Sequence, residues 1–438
     1  MDESRPAANA DDWTKDAAWI PAPPDLAAPP LRLAFVSHCL RPCDHSASRI
    51  GGAERAAAEL LAALLRQPGA TVIPLVADAA SDRLGFVRFA VAALARLRRL
   101  AEAQEIDAVL FSALPTAWMT ALLAPVFRRN GVATAAICHG HDVIMDLEPY
   151  QSLVRRTFAG LDAVLPVSRA TGDACLARGL DPRRMHVLPN GVDAARFAAP
   201  ARPQDRRAIL AAAFPEHAGG LSPRDGLVVC TVGRQVPRKG HAWFVRTVMP
   251  RLPADVQFWL VGDGPEASSI AAAAREAGVT DRVRRLGALS EAGLAALYRG
   301  CDLFVMPNVP TPGDMEGFGL VMLEANLNGL PAIAADLEGI ADVVATGVNG
   351  RLIRAGDGEA FAAAILELRR DPDLRHLLGR QAEAHARGFG WDAVAASQLG
   401  ILATARRAPA GGLAKLSRES AMPGRGTAAA PAGAQWRR

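Results

Sequence analysis

Two doubly wound α/β halves, each a parallel sheet with helices on both faces, are what this sequence predicts. The first observation is length: 438 residues exceed what one ordinary hydrophobic core organises, so two domains are the default. The second is rhythm. Short apolar runs alternate with Ala/Leu/Arg-rich helical stretches, pause once at a polar, Pro-containing segment, and then resume. The third is composition, 50% apolar and 21% charged, which is that of a globular chain.

In chain order, residues 1–30 are acidic, Ala/Pro-rich and without an apolar core, so they read as disordered and not as a secretory signal. Strands are predicted at 31–36, 71–76, 107–112, 133–138, 162–168 and 185–189, giving a first Rossmann-like half over 31–197. The polar stretch 198–224 reads as an interdomain linker. Strands at 227–232, 257–261, 282–286, 302–306, 331–334 and 350–353 then build a second half over 225–390. A last helix is expected over 391–407, and the Gly/Ala/Pro/Arg tail 408–438 reads as disordered. No shorter period repeats, which speaks against a solenoid. The charge-free stretch 108–127 has the length to span a membrane, but Pro115 and Pro125 interrupt it. It reads better as a buried strand followed by a helix from Thr116.

Charge and cysteines narrow the function classes. A net charge of +4 is modest and does not indicate a nucleic-acid binder. The six cysteines read as reduced core thiols of a cytoplasmic protein. His38-Cys39-x3-Cys43-Asp44-His45 holds metal-ligand residue types, but no second spaced pair follows, so no metal is assigned there.

Chemistry concentrates after the strand at 302–306. Pro307-Asn308-Val309-Pro310-Thr311-Pro312-Gly313-Asp314-Met315-Glu316 is a Pro/Gly loop, and Gly317-Phe318-Gly319-Leu320 leads into a helix. The backbone N–H groups of Phe318, Gly319 and Leu320 at that helix start suit an anion, especially a phosphate, and glycines permit its close approach. Glu316 and Glu324 bracket the terminus. In a continuous helix they would stand roughly 12 Å apart, whereas glycosidase carboxyl pairs lie about 5 to 9.5 Å apart. Each would instead bind a separate part of one ligand, and a sugar diol fits because an ionised carboxylate accepts two O–H donors. A solvated loop residue and an exposed helix residue are the plainer reading of the same pair.

Three other stretches follow strands, where open α/β sheets place ligands. Gly51-Gly52-Ala53-Glu54-Arg55 opens a helix; its glycine pair permits unusual backbone angles and approach of a phosphate or sugar, or is a plain helix start. The dinucleotide fingerprint Gly-x-Gly-x-x-Gly occurs nowhere. Cys138-His139-Gly140-His141-Asp142 has a His-x-His ligand spacing without a further His-rich partner, and a structural loop histidine is a lesser alternative for His139. In Gly233-Arg234-Gln235-Val236-Pro237-Arg238-Lys239-Gly240, Arg234 and Lys239 could neutralise a diphosphate, each contributing about 4 kcal/mol at roughly 4 Å and an effective dielectric near 20. Arg clamps phosphate with two bonds while Lys acts as a point charge, and a solvated surface cluster is the plainer reading of the same residues. Finally, 86–100 can be drawn as a helix with Phe86, Phe89, Leu97 and Leu100 on one side and Arg88, Arg96 and Arg99 on another. Resting on an anionic membrane and packing against the sheet both explain that pattern.

The run Glu316-Gly-Phe-Gly-Leu-Val-Met-Leu-Glu324, with Gly-Arg...Lys-Gly at 233–240, His139 and the Gly-Gly-Ala-Glu-Arg loop in the expected order, resembles the retaining glycosyltransferases of family 4 over roughly 31–405. Pro307-Asn308 with Gly313-Asp314-Met315-Glu316 is similar to a subgroup that includes phosphatidylinositol mannosyltransferases. The resemblance implies the GT-B arrangement: an acceptor domain, a nucleotide-sugar domain, a cleft between them, and a last helix crossing back to the first. It implies a hexosyltransferase of polysaccharide or glycolipid biosynthesis that uses a UDP- or GDP-linked sugar, a carbohydrate or lipid-linked acceptor, no metal and no cofactor. Its place would be the cytoplasm, with peripheral contact at the inner face of the membrane. Arg234, Lys239 and the N–H groups of Phe318, Gly319 and Leu320 would stabilise the leaving diphosphate, with Gly51 and Gly52 beside it. Glu324 would hold the ribose hydroxyls, and Glu316 and His139 would orient the sugar. A nucleotide-sugar epimerase of the same fold and a non-catalytic sugar-nucleotide-binding protein are the alternatives.

Overall fold

The computed structural model describes residues 30–38, 51–77, 83–196, 205–217 and 226–406. Cys39, Cys43 and His45, both expected disordered ends and most of the linker lie outside them.

Leu31–Ser37 (β1), Ala70–Val76 (β2), Ala108–Phe111 (β3), Ala133–Cys138 (β4) and Ala163–Pro166 (β5) form one sheet in the order β2-β1-β3-β4-β5. Leu227–Val232 (β6), Val256–Val261 (β7), Val283–Arg285 (β8), Leu303–Met306 (β9), Ala332–Asp336 (β10) and Gly350–Arg354 (β11) form the other, in the order β11-β10-β9-β6-β7-β8. Every pairing is parallel. β3 to β7 and β9 are buried along their whole length. That is why they read as nearly continuous apolar runs: helices cover both faces, so no side chain alternates toward water. Strand order reverses between β1 and β3 and between β6 and β9, and the loops leaving those strands open outward at the reversal.

Residues 185–189 are not a strand. His186 and Leu188 donate N–H bonds of 2.9 Å to the Val164 and Pro166 carbonyls, and Pro189, with no N–H, cannot extend the ladder. The stretch 108–127 resolves into β3 and the short helices Leu114–Ala117 and Thr120–Arg129. No helix among the described residues is long and apolar enough to cross a membrane. Inside the segment read as linker, Arg206–Ala213 is a helix started by the Asp205 side chain, which accepts the Arg207 N–H. Its one buried residue, Leu210, rests on Gly300 so closely that a Cβ there would come within 2.5 Å of it.

The helix Gly52–Arg66 (α1) buries Ala56, Ala57, Leu60, Ala63 and Leu64. Trp391–Ala405 crosses from the second half to pack on α1, β4 and β5. Its Trp391, Val394, Leu399 and Leu402 join one apolar cluster that runs from Leu33 and Leu60 to Val228 and Tyr298, through both halves. The helix Arg83–Glu102 (α2) decides between the two readings of 86–100: its apolar side packs on the sheet. Leu97 and Leu100 are buried with Ala90 and Ala93 against the first sheet, and Phe89 packs beside them. The outward face instead carries Val87 and Val91, 54% and 63% exposed, among Arg88, Arg96 and Arg99.

Candidate active site

The carboxyl ends of both sheets open on one cleft of about 510 Å³. Gly51, Gly52 and His139 line it from the first half, and Arg234, Lys239, Glu316, Phe318, Gly319, Leu320 and Glu324 from the second, so every residue singled out for binding lies on this cleft.

Two helix N-termini face it. Gly319 precedes the helix Leu320–Leu327 with φ +88°, in the left-handed region that favours glycine. That helix leaves its first N–H groups without intrahelical acceptors. The start of α1 differs from expectation. Gly51 is extended (φ −66°), Gly52 has no positive φ, and the Gly51 N–H is taken by the Glu54 carboxylate at 2.9 Å. The glycine pair therefore supplies no unusual backbone angle. What Gly52 supplies is open space, since a Cβ on it would meet nothing within 4 Å.

The loop between the two glutamates is sandwiched. A Cβ on Gly317 would sit 1.9 Å from the His139 carbonyl oxygen, and one on Gly339 would sit 2.0 Å from the Gly317 oxygen. On the facing wall, His139 Nε2 donates to the Ser112 carbonyl at 2.9 Å. Asp142 accepts the N–H of His139 at 2.8 Å and of Leu114 at 3.2 Å, so its carboxylate fixes the loop. Among the described residues no three His, Cys, Asp or Glu side chains converge as metal ligands.

Glu316 is buried at the centre of a cluster. Lys239 Nζ lies 2.5 Å from its carboxylate, Arg238 pairs with the same oxygen, and Asn308 Nδ2 donates at 3.2 Å. Burial pushes the carboxyl pKa up, but Lys239 and Arg238 outweigh that and bring it down to about 2. Burial in turn lowers the pKa of the Lys239 ammonium, against the pull of Glu316. Spacing alone does not reveal Arg238, which also reaches Asp314 at 3.1 Å. Pro237–Lys239 is a single tight turn closed by left-handed Gly240, and this brings both consecutive cations to the cleft.

Glu324 is held from both halves. Arg55, from the first turn of α1, pairs with it at 2.7 Å, and the Tyr298 hydroxyl donates to it at 3.0 Å. Burial raises the Glu324 pKa and Arg55 opposes the rise. Arg55 also bonds Glu59 at 3.1 Å, and Glu59 receives Arg196 at 2.8 Å and the Trp391 indole N–H at 2.5 Å. Neither Arg55 nor Tyr298 was a sequence candidate; Arg55 could have been found as the last residue of the Gly-Gly-Ala-Glu-Arg run. Arg234 stands apart, exposed at the rim and without a carboxylate partner among the described residues.

The cluster around Glu316 has a pH signature. Its folded pKa lies below the ordinary value of about 4.3. The stability from its ion pairs is therefore present above that value and lost as pH falls toward 2. Glu316→Gln should lower the urea midpoint at pH 7, and its deficit against the parent should narrow as pH falls below 4. A constant deficit would mean that the pairs are not formed.

Two family models match the chain: Glycosyltransferase Family 4 over residues 50–196, and Glycosyl transferases group 1 over residues 226–371. The chain is 35% identical over 237 residues to a D-inositol 3-phosphate glycosyltransferase of Actinosynnema mirum, a match that spans 52% of this chain and only about half (53%) of that relative. It is 33% identical over 316 residues to the GDP-mannose-dependent alpha-(1-6)-phosphatidylinositol monomannoside mannosyltransferase of Mycobacterium tuberculosis, covering 70% of this chain and 78% of that one. Among solved structures, Anabaena Alr3699/HepE in complex with UDP superposes with a TM-score of 0.65 at 19% identity, over 85% of this chain and 100% of its own. Sucrose-phosphate synthase from Thermosynechococcus elongatus gives 0.66 at 22%, over 85% and 98%. Both carry the same pair of facing α/β domains, the GT-B arrangement.

Proposed function

This chain belongs to glycosyltransferase family 4, and from that premise we propose that it moves a hexose from a nucleotide-diphosphate sugar to a lipid-linked or glycan acceptor, with retention of anomeric configuration. The supporting observation is the convergence, on one cleft, of the Gly319–Leu320 helix start with exposed Arg234 and buried Lys239. A leaving diphosphate gains negative charge as the glycosidic bond breaks. Arg234 and the N–H groups of Phe318, Gly319 and Leu320 meet that charge directly, and Lys239 adds to the field. These fixed cations do the work a divalent ion does elsewhere, so the reaction is metal-independent. Glu316, held ionised, and His139 orient the sugar. Glu324 accepts the ribose hydroxyls on the lone pairs that Arg55 and Tyr298 leave open. The departing phosphate takes the acceptor's proton.

GDP-mannose in one relative's name and UDP in a neighbour's support a GDP- or UDP-linked donor here. A relative named for a phosphatidylinositol monomannoside supports a glycolipid acceptor, and one named for D-inositol 3-phosphate supports a soluble inositol phosphate. We assign the protein to the cytoplasm, with α2 touching the inner membrane face: Arg88, Arg96 and Arg99 attract anionic headgroups, and exposed Val87 and Val91 enter the interface. Vesicles containing phosphatidylserine should co-sediment the protein at low salt, and the triple Arg→Glu variant at these positions should stay in the supernatant. Equal behaviour of the two proteins would remove α2 from the assignment.

The test of the donor is a thermal-shift panel of UDP-, GDP- and ADP-sugars with a chelator present. A ligand at 100 times its Kd adds about 2.7 kcal/mol of stability. One nucleotide class should raise Tm with the chelator in place. A shift that needs a divalent metal, or none with any donor, would overturn the reading. Conversion of a sugar nucleotide with no acceptor present would identify an epimerase instead.

A further inference from the structure

Glu338 and Gln104 are the non-glycine residues with positive φ among the described ones, at 51° and 54°. A side chain is held in that region only when its surroundings over-determine it, and such positions cluster at functional sites. Glu338 begins the turn Glu338–Asp342 after β10, and its carboxylate accepts the N–H of Glu316 at 2.5 Å. The next residue, Gly339, donates its N–H to the Glu316 carbonyl at 3.1 Å. Both backbone polar groups of Glu316 are thus held by two consecutive residues of one turn.

The Glu338 carboxyl is half-buried, and burial together with the nearby carboxylates of Glu316 and Asp314 raises its pKa, opposed by the Glu316 N–H and by Arg238. A strained backbone and a costly carboxyl are both spent on one recipient, the Glu316 peptide. The far end of the turn is anchored as well. Asp342 accepts the backbone N–H of Arg169 at 2.6 Å and its Nε at 2.7 Å, and Arg169 belongs to the first half.

We propose that Glu338 is a positioning residue: it clamps the Glu316 peptide so that the Glu316 carboxylate stays against Lys239 and Arg238 in the orientation the transferred sugar requires. The proposal rests on the reading of Glu316 as the sugar-orienting group. It does not require Glu338 to touch substrate.

Two substitutions separate the clamp from a merely structural turn. Glu338→Gly relieves the backbone strain and removes the acceptor, whereas Glu338→Gln keeps an amide oxygen where Glu316 N–H points. In Glu338→Gly the Tm should hold or rise while kcat falls about tenfold or more, with donor KM within about threefold of the parent. Glu338→Gln should recover kcat to within about threefold of the parent. Amide hydrogen exchange reads the same contact without turnover: the Glu316 N–H should lose protection in Glu338→Gly and keep it in Glu338→Gln. Unchanged protection in the glycine variant, parental kcat in it, or activity and Tm falling together would overturn the clamp. If neither the parent nor any variant transfers sugar while the exchange pattern is as expected, the reading of Glu316 fails and the contact stands.

Discussion

Arg234→Ala should lower turnover about a hundred- to thousandfold, the effect of removing one preorganised donor worth about 3 to 4 kcal/mol to a developing charge. Its Tm should not move. Arg234 follows β6 at a strand-order reversal, is exposed at the rim, and has no carboxylate partner among the described residues, so the folded protein does not use its charge internally. Lys239 is the instructive contrast. It is buried, and removing it would leave Glu316 with Arg238 and Asn308 alone, so Lys239→Ala costs stability as well as rate. Single-turnover kinetics and thermal unfolding of the two variants side by side check the pair. Equal loss of folding and activity in Arg234→Ala would detach the residue from the chemistry.

The second large effect is expected from the smallest substitution. Gly317→Ala puts a methyl group where the backbone of the opposite half already stands, 1.9 Å from the His139 carbonyl oxygen. Neither backbone can yield within its own half, because Gly339 packs against the Gly317 oxygen from behind and Asp142 pins the His139 loop. The walls must part by an ångström or more, and misplacement of about 1 Å is enough to cost about a hundredfold in rate. Each half keeps its own sheet, so circular dichroism should be unchanged while kcat/KM falls by that factor or more. Parental kinetics would show that the reaction proceeds without this contact.

Much of this was legible in the chain because two signals are local. Parallel strands buried on both faces leave nearly continuous apolar runs such as 227–232 and 303–306, and ligand loops follow their carboxyl ends, so position together with the family resemblance singled out Arg234, Lys239, Glu316 and Glu324. Partners could not be named that way. Arg55 meets Glu324 only after two sheets have formed and faced each other, and no spacing encodes that. The face of α2 stayed open for a related reason: Leu97 and Leu100 look alike whether they meet a membrane or a sheet, and only the neighbouring strands decide. Backbone state is equally silent. Gly51 and Gly52 suggested an unusual turn and hold ordinary angles, while Glu338, an unremarked acidic residue, holds the unusual one.

The return of Trp391–Ala405 to the first sheet has a consequence for how the protein is born. The inner stripe of α1, with Leu60 and Leu64, completes its packing only with a helix encoded at the far end of the second half. At about 5–20 residues per second, a ribosome that has finished the first half needs roughly 10–40 s more to supply that helix. During that interval the nascent first half presents apolar surface on the very side where the second is folding. The chain is thus two folds in architecture but a single unit in biogenesis, and its first half alone is an unfinished surface that a chaperone has reason to hold.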